Sequence, residues 1–295
     1  MKPRRRLRPV TALTTALLAT VLTACSSSGS DTSATSSPSD GSSISVSHIH
    51  GLGIDPADQR LYVATHEGVI AVAADGTATR VGDKADYMGF TVIGARTFLG
   101  SGHPAEGSGG HANRGLIEST DSGKTWKTLS LAGKTDFHAL KYAHDTVYGY
   151  DSTSGILRVS KNRTTWDTRA RLAALDIAVS PTDPDTVLAT TEQGIARSTN
   201  GGKTFAGGAG PVLAFLSWPK PDTLYGIDTA GVLNRSTDGG ATWTKTGTVP
   251  GGQPQALTAV DAQRVLAATQ NGVYESRDGG KTFTEQLPVT TGEGH

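Results

Sequence analysis

The octapeptide Ser236-Thr-Asp-Gly-Gly-Ala-Thr-Trp243 recurs as Ser119-Thr-Asp-Ser-Gly-Lys-Thr-Trp126, Ser198-Thr-Asn-Gly-Gly-Lys-Thr-Phe205 and Ser276-Arg-Asp-Gly-Gly-Lys-Thr-Phe283. A degenerate copy, Ser160-Lys-Asn-Arg-Thr-Thr-Trp166, lacks the glycine and one residue. The leading serines are spaced by 41, 38, 38 and 40 residues. Each copy follows a short apolar run such as Gly272-Val-Tyr-Glu275 and ends on an aromatic residue, so it reads as a hairpin turn. In such a turn Asp or Asn folds its side chain onto backbone amides, Gly accepts positive φ, and Trp or Phe packs into the sheet. Acids repeated around a whole ring are structural rather than catalytic.

Upstream of every copy lie two more runs with a turn between them, for example Leu175–Val179 then Thr186–Thr190, and Ala256–Val260 then Arg264–Ala268. The first unit shows the same pair, Ile49–Ile54 and Arg60–Thr65, followed by Gly68–Val72 and a plain Asp75-Gly76 turn. Six units result: 47–83, 86–131, 136–172, 174–208, 212–249 and 253–287. Four strands repeating near forty residues are the signature of a propeller blade. The expected fold is therefore all-β, a six-bladed β-propeller of four-stranded antiparallel blades over 45–288, with a flexible tail at 289–295.

The octapeptides resemble the Asp-box, or BNR, repeat of sialidases, sortilin-type receptors, some xyloglucanases and photosystem assembly factors. The whole chain looks like bacterial sialidase-like, glycosyl-hydrolase-like propeller lipoproteins. That likeness implies an exo-sialidase-like glycoside hydrolase acting on extracellular glycans. It also implies a site with three arginines, the first in an Arg-Ile-Pro motif, and a Tyr–Glu pair. No Arg-Ile-Pro occurs, and no arginine falls on the aligned inner-strand positions. Paired carboxylates do hydrolyse glycosides, and Asp86, Asp136, Glu67 and Glu106 are the candidates. Trp218, Tyr87 and Tyr150 are the aromatic platforms left once the turn tryptophans are set aside. The likeness to photosystem factors implies instead an assembly scaffold for a protein partner.

The N-terminus carries a basic stretch ending at Arg8, an apolar run Val10–Leu22, and Leu22-Thr23-Ala24-Cys25. Small residues before a cut site mark a secretory signal peptide, here 1–24, and the tetrapeptide resembles the lipobox of bacterial lipoproteins. The run is too short and too rich in Thr and Ala for a membrane span, which needs about 20 apolar residues. Cys25, the only cysteine, is the expected lipidation site. Residues 25–44 form a Ser/Thr-rich tether too polar to offset its ordering entropy. An exported lipoprotein on the outer face of the cell membrane follows. Its mature fold has no disulfide and rests on packing and hydrogen bonds.

Composition closes off other classes. Overall the chain has 27 Lys+Arg against 27 Asp+Glu, 37 Gly and 18% charged residues, which excludes a coiled coil. Setting aside Lys2, Arg4, Arg5, Arg6 and Arg8 leaves 22 basic residues against 27 acidic, a net charge of −5. Nucleic acid is not an expected partner, because such binding needs cations to neutralise phosphates.

In an up-and-down blade the start of strand 1 and the turn between strands 2 and 3 share one face; the octapeptides lie on the other. Aligning the six innermost strands brings His50, Met88, His138, Leu175, Leu213 and Gln255 to one position. His48, Asp86 and Asp136 stand two residues earlier, and His66 and His103 occupy turns on the same face. The turn of the second unit is enlarged, running from Ser101 to Arg114 with His111 and Glu106 inside it, and loops so enlarged commonly carry function. Imidazole with thioether suits copper, and imidazole alone suits zinc or copper. The expected ligand set is His48, His50, His66, Met88, His103 and His138, with Asp86, Asp136 and Glu67 orienting rings behind them. The same side chains would also serve a metal-free pocket for a small polar ligand. This site favours a binding protein over an enzyme.

Overall fold

The computed structural model describes residues 46–289; the expected signal peptide, the expected tether with Cys25 and the residues beyond 289 lie outside them. Blade 1 comprises β1 (Ile49–Ile54), β2 (Leu61–Thr65), β3 (Gly68–Val72) and β4 (Ala78–Val81). Blade 2 has β5 (Asp86–Gly94), β6 (Thr97–His103), β7 (Leu116–Ser119) and β8 (Lys127–Ser130). In blade 3 follow β9 (Ala139–Ala143), β10 (Thr146–Asp151), β11 (Ile156–Ser160) and β12 (Asp167–Arg171). Blade 4 contains β13 (Ile177–Val179), β14 (Val187–Thr191), β15 (Gly194–Ser198) and β16 (Ala206–Ala209). Blade 5 is built from β17 (Phe215–Lys220), β18 (Thr223–Ile227), β19 (Val232–Ser236) and β20 (Thr244–Thr248). The last blade holds β21 (Pro254–Ala259), β22 (Val265–Thr269), β23 (Gly272–Ser276) and β24 (Thr284–Pro288). Each blade is one antiparallel sheet of consecutive strands, so the fold is a six-bladed β-propeller.

The first strands of the blades line the channel, and each lies against the first strands of both neighbours, β21 against β1 included. The second strands are buried on both faces, which their period-2 pattern explains. In β2, Leu61 and Val63 face blade 6 while Tyr62 and Ala64 face blade 2. Among the described residues, six apolar clusters form, one at each interface between blades. At the interface joining the last blade to the first, Gln255 Oε1 accepts from Ile49 N at 2.9 Å and Leu52 O accepts from Thr258 Oγ1 at 2.8 Å.

The octapeptides form the turns between third and fourth strands, all with one hydrogen-bond plan. In blade 5 Ser236 Oγ accepts from Gly240 N at 2.7 Å and donates to Asp238 Oδ1 at 2.7 Å. Asp238 in turn accepts from Thr242 N at 2.9 Å and from Thr242 Oγ1 at 2.6 Å. Asn200 takes the same place in blade 4, accepting from Thr204 N at 3.0 Å. The two central residues sit at positive φ, 70° and 91° for Gly239 and Gly240, which explains the glycines. An arginine of the preceding blade grips the turn: Arg169 donates to Gly201 O at 2.6 Å, and Arg197 to Gly239 O.

Asp238 is exposed, so its hydrogen bonds compete with water. They still hold its carboxyl below the usual carboxylate range, with Thr242 as the largest cause. Asp238→Ala should lower the melting temperature while any metal affinity of the histidines stays unchanged, since the turn lies on the face away from them. Thermal unfolding beside a metal titration checks this; an altered affinity with an unaltered melting temperature would refute the assignment of faces.

Candidate functional site

Three blades present the same small grid of positions at one mouth of the channel. In β1 the register steps from Ile49↔Thr65 to Gly51↔Ala64, leaving His50 unpaired as the extra residue of a β-bulge. Met88 has the same place between Tyr87↔Gly102 and Gly89↔Ser101, and Gln255 between Pro254↔Thr269 and Ala256↔Ala268. A bulge bends the strand and re-aims the extra side chain, here at the start of an innermost strand. His138 N donates to Tyr150 O at 3.0 Å and Leu175 N to Thr190 O at 3.2 Å, the corresponding sites in blades 3 and 4. In blade 5 that bond is made by Ala214 N to Ile227 O at 2.7 Å. The register therefore corrects the alignment by one residue: Ala214 holds the position, and Leu213 is buried in the interface between blades 4 and 5.

His48 O accepts from His66 N at 3.3 Å, and Asp86 pairs with His103 across β5 and β6. The grid thus reads His48, His50 and His66 in blade 1, Asp86, Met88 and His103 in blade 2, and Asp136 and His138 in blade 3. Gly102 makes the blade 2 turn possible, because its φ is 141° and a Cβ there would stand 2.1 Å from Asp86 O.

His48, His50 and His66 come together: one ring nitrogen from each lies within 4.8 Å of the others. The His50 and His66 rings stack with centroids 4.5 Å apart, and His48 meets them edge-on at 5.1 and 5.3 Å. Burial, reinforced by His66, His48 and His138, pulls the His50 pKa down to about 3. Burial and His66 also lower that of His48. A neutral imidazole offers a lone pair, the form in which histidine binds metals. His50 Nε2 is buried without a hydrogen-bond partner, so a metal ion would satisfy an atom the protein leaves unsatisfied.

His103 and His138 do not join that triad and instead flank a carboxylate. Their Nε2 atoms stand 3.3 and 3.7 Å from Asp136 Oδ2. Burial raises the pKa values of both Asp86 and Asp136 against the opposing pull of the histidines. Met88 is half-buried. Glu67 faces outward in a 3.5 Å ion pair with Arg80, and Glu106 is exposed in the enlarged turn. His111 lies beside Gly133, and His144 is at the other end of the channel, where Nε2 meets Ser180 O at 2.8 Å.

Two of the expected aromatic platforms are corrected by burial. Tyr87 and Tyr150 are 0% and 1% exposed, packed in interfaces between blades and hydrogen-bonded to Asp83 and Leu172 O. Trp218 lines a cavity of about 570 Å³ at the channel end opposite the histidines, with Tyr142, Pro181 and Val260. Between the two ends Lys141 Nζ meets Asp176 Oδ1 at 3.1 Å, and Asp176 Oδ2 accepts from Leu216 N at 2.9 Å. This link ties blades 3, 4 and 5 across the channel. No motif marks it in the sequence, where its one visible signal is a lysine in the otherwise apolar inner strand β9.

Similar architectures occur among solved structures. The chain is similar to an ancestral GH74 enzyme (TM-score 0.54, 15% identity, 78% of this chain and 36% of that one). It is likewise similar to a chain of the nidogen/laminin complex (0.60, 11%, 78% and 95%). A third is a catalytically inactive virginiamycin B lyase from Staphylococcus aureus with quinupristin (0.53, 13%, 82% and 84%). At these identities the likeness is one of fold. The chain spans about a third of the ancestral GH74 enzyme's length. No protein-family model matches the sequence, and neither does any curated protein.

Proposed function

We propose that this protein is a membrane-tethered lipoprotein propeller of the Asp-box type that binds a copper or zinc ion at its channel mouth and is not an enzyme. The observation that carries this reading is the triad His48, His50 and His66, three imidazole donors within 4.8 Å on one blade. The residues suit the metal: imidazole nitrogens bind zinc and copper alike, and the thioether of Met88 on the adjacent bulge favours Cu(I). When bound, the ion supplies a positive charge and open coordination positions. The protein's own part is to bring the three imidazoles together at the mouth, with the Lys141–Asp176 link between them and the larger cavity.

Hydrolysis of glycans has weaker support. Glu67 is engaged with Arg80, Asp86 and Asp136 sit among imidazoles, and the buried tyrosines offer no sugar platform. Titration of the purified protein with Zn(II), and with Cu(I) under anaerobic reducing conditions, tests the reading. Absence of binding together with turnover of fluorogenic glycosides would reverse it.

Met88→Leu keeps the volume and removes the sulfur. It should weaken Cu(I) binding and leave Zn(II) nearly unchanged; equal losses for both ions would exclude a thioether role. For the tether, Cys25→Ser should release the protein from membranes. One acyl chain alone holds only marginally, so stable anchoring requires several chains on that residue. Membrane fractionation with labelled lipid checks this, and retention of the variant would count against the lipoprotein reading.

A further inference from the structure

We infer that the cavity at the channel end opposite the histidines is a binding site of its own, for a neutral, ring-bearing small molecule with an apolar face and a polar edge. No residue of the triad lines it, so the inference stands apart from the metal-binding reading. Its volume, about 570 Å³, falls in the range of about 300–1,000 Å³ that holds drug-sized ligands. The Lys141–Asp176 link lies between it and the histidines, so a ligand enters from the face that carries the octapeptide turns.

Side-chain choice at one level of the channel makes the room. Three residues beyond the bulge position, the inner strands carry Gly53, Thr91, Lys141, Ala178, Ser217 and Thr258. All six line the cavity, and five of them are small. The sixth, Lys141, is drawn to Asp176 at 3.1 Å. Protein interiors are otherwise close-packed, and the same strands carry His50, Met88 and His138 toward the other mouth. The space therefore comes from the residues chosen and not from the width of a six-bladed ring. One residue further along, the ring reads Ile54, Val92, Tyr142, Val179, Trp218 and Ala259, aliphatic or aromatic in every blade.

This lining specifies the chemistry of the ligand. Apolar walls in a blind pocket favour the replacement of water by apolar surface. Both aromatic side chains are held in place before anything binds. Trp218 packs on the turn of its own blade, where a Cβ on Gly239 would stand 3.2 Å from it, and Tyr142 donates to Asp145 Oδ1 at 3.1 Å. Rings fixed in this way receive another ring at little entropic cost. The hydroxyls lie one level deeper. Ser217 Oγ accepts from Ala259 N at 2.8 Å and keeps its hydrogen to donate. Thr258 Oγ1 donates to Leu52 O at 2.8 Å and keeps its lone pairs to accept. They belong to neighbouring blades, which sets the polar edge of the ligand against blades 5 and 6. Among the lining residues only Lys141 carries a fixed charge, and Asp176 already matches it. A charged ligand would lose its water without gaining a partner, so the site selects a neutral one.

The test uses two fluorescent probes, neutral phenylnaphthylamine and its sulfonate, which differs by one negative charge. Each is titrated into the purified protein by fluorescence and calorimetry, with the melting temperature as a folding control. The neutral probe should bind once per chain, and the sulfonate at least about tenfold more weakly. Trp218→Ala should weaken the neutral probe by about tenfold or more. Thr91→Phe fills the level of small residues and should abolish binding. Val260→Trp, at a rim position 36% exposed, narrows the opening and keeps the experiment decisive if Thr91→Phe fails to fold. Binding of the sulfonate as tight as that of the amine overturns the assignment to a neutral ligand. No binding, or binding that neither Trp218→Ala nor Val260→Trp changes, overturns the site. Titration with Zn(II) decides the triad reading separately, whatever the probes do.

Discussion

Replacing His50 by alanine is expected to weaken metal binding at the triad by more than about 100-fold. Changing residues that merely orient a ligand already costs about 10–100-fold, and His50 is the central donor. It stacks on His66, meets His48 edge-on, and is held neutral by burial. Its position on the β1 bulge fixes the direction of the ring, so no neighbour on that strand replaces it. His144→Ala is the control, since that ring lies at the opposite end of the channel on Ser180 O. Competition titrations with a chelator of known affinity would measure the difference. An affinity equal to wild type would return the triad to a structural role.

The largest loss of stability is expected from Phe137→Ala, about 3–5 kcal/mol by the usual cost of emptying an aromatic site. Phe137 is 0% exposed and stands between Asp136 and His138. Its N–H donates to Ser101 Oγ at 2.9 Å, binding the start of blade 3 to blade 2. Its ring lies 5.0 Å from that of Trp166, and it fills the space a Cβ on Gly149 would need, 2.5 Å from the nearest ring atom. Loss of the ring should therefore also loosen the two side chains that flank it, Asp136 and His138. Chemical denaturation measures the loss of stability. A cost below about 1 kcal/mol would mean that the interface between blades 2 and 3 does not depend on this residue.

The fold was legible because the turn chemistry repeats. A serine, an acid or amide, paired small residues and an aromatic at fixed offsets mark each third-to-fourth strand turn, and the apolar runs between them alternate with period two. Blade 1 lacks the octapeptide and was still recognisable from Asp75, which caps its turn by accepting from Thr77 N at 2.9 Å. Strand ends shifted by one or two residues: β13 begins at Ile177 where the pattern placed a start at Leu175. That shift has a physical cause, since Leu175 occupies the position where other blades bulge, and it is 52% exposed at the mouth.

The site was legible by face but not by contact. Sorting residues to the mouth needed only strand order, and the bulges then turned alternating positions toward the channel. The three imidazoles that meet all belong to blade 1, but His66 reaches His48 and His50 from the turn after β2, a meeting that no spacing within one strand encodes. The register slip at Leu213 and Ala214 has a similar origin, because an apolar residue fits the alignment equally well one place either way. Tyr87 and Tyr150 were misread as surface platforms for want of the neighbouring blade that covers them.

The closure of the ring has a further consequence. Among the described residues every sheet is a single uninterrupted run of chain, and no strand from one end completes the blade at the other. Blades 6 and 1 meet like the two ends of an unriveted hoop, held by apolar packing and the bonds from Ile49 and Thr258. The termini can in principle be relocated to any of the other five links without breaking a sheet, which makes the molecule a natural candidate for circular permutation. An ion gripped by His48, His50 and His66 ties one blade to itself and does nothing to fasten the hoop. Its resistance to being pulled open is therefore set by the join between the last blade and the first, whatever those three histidines hold.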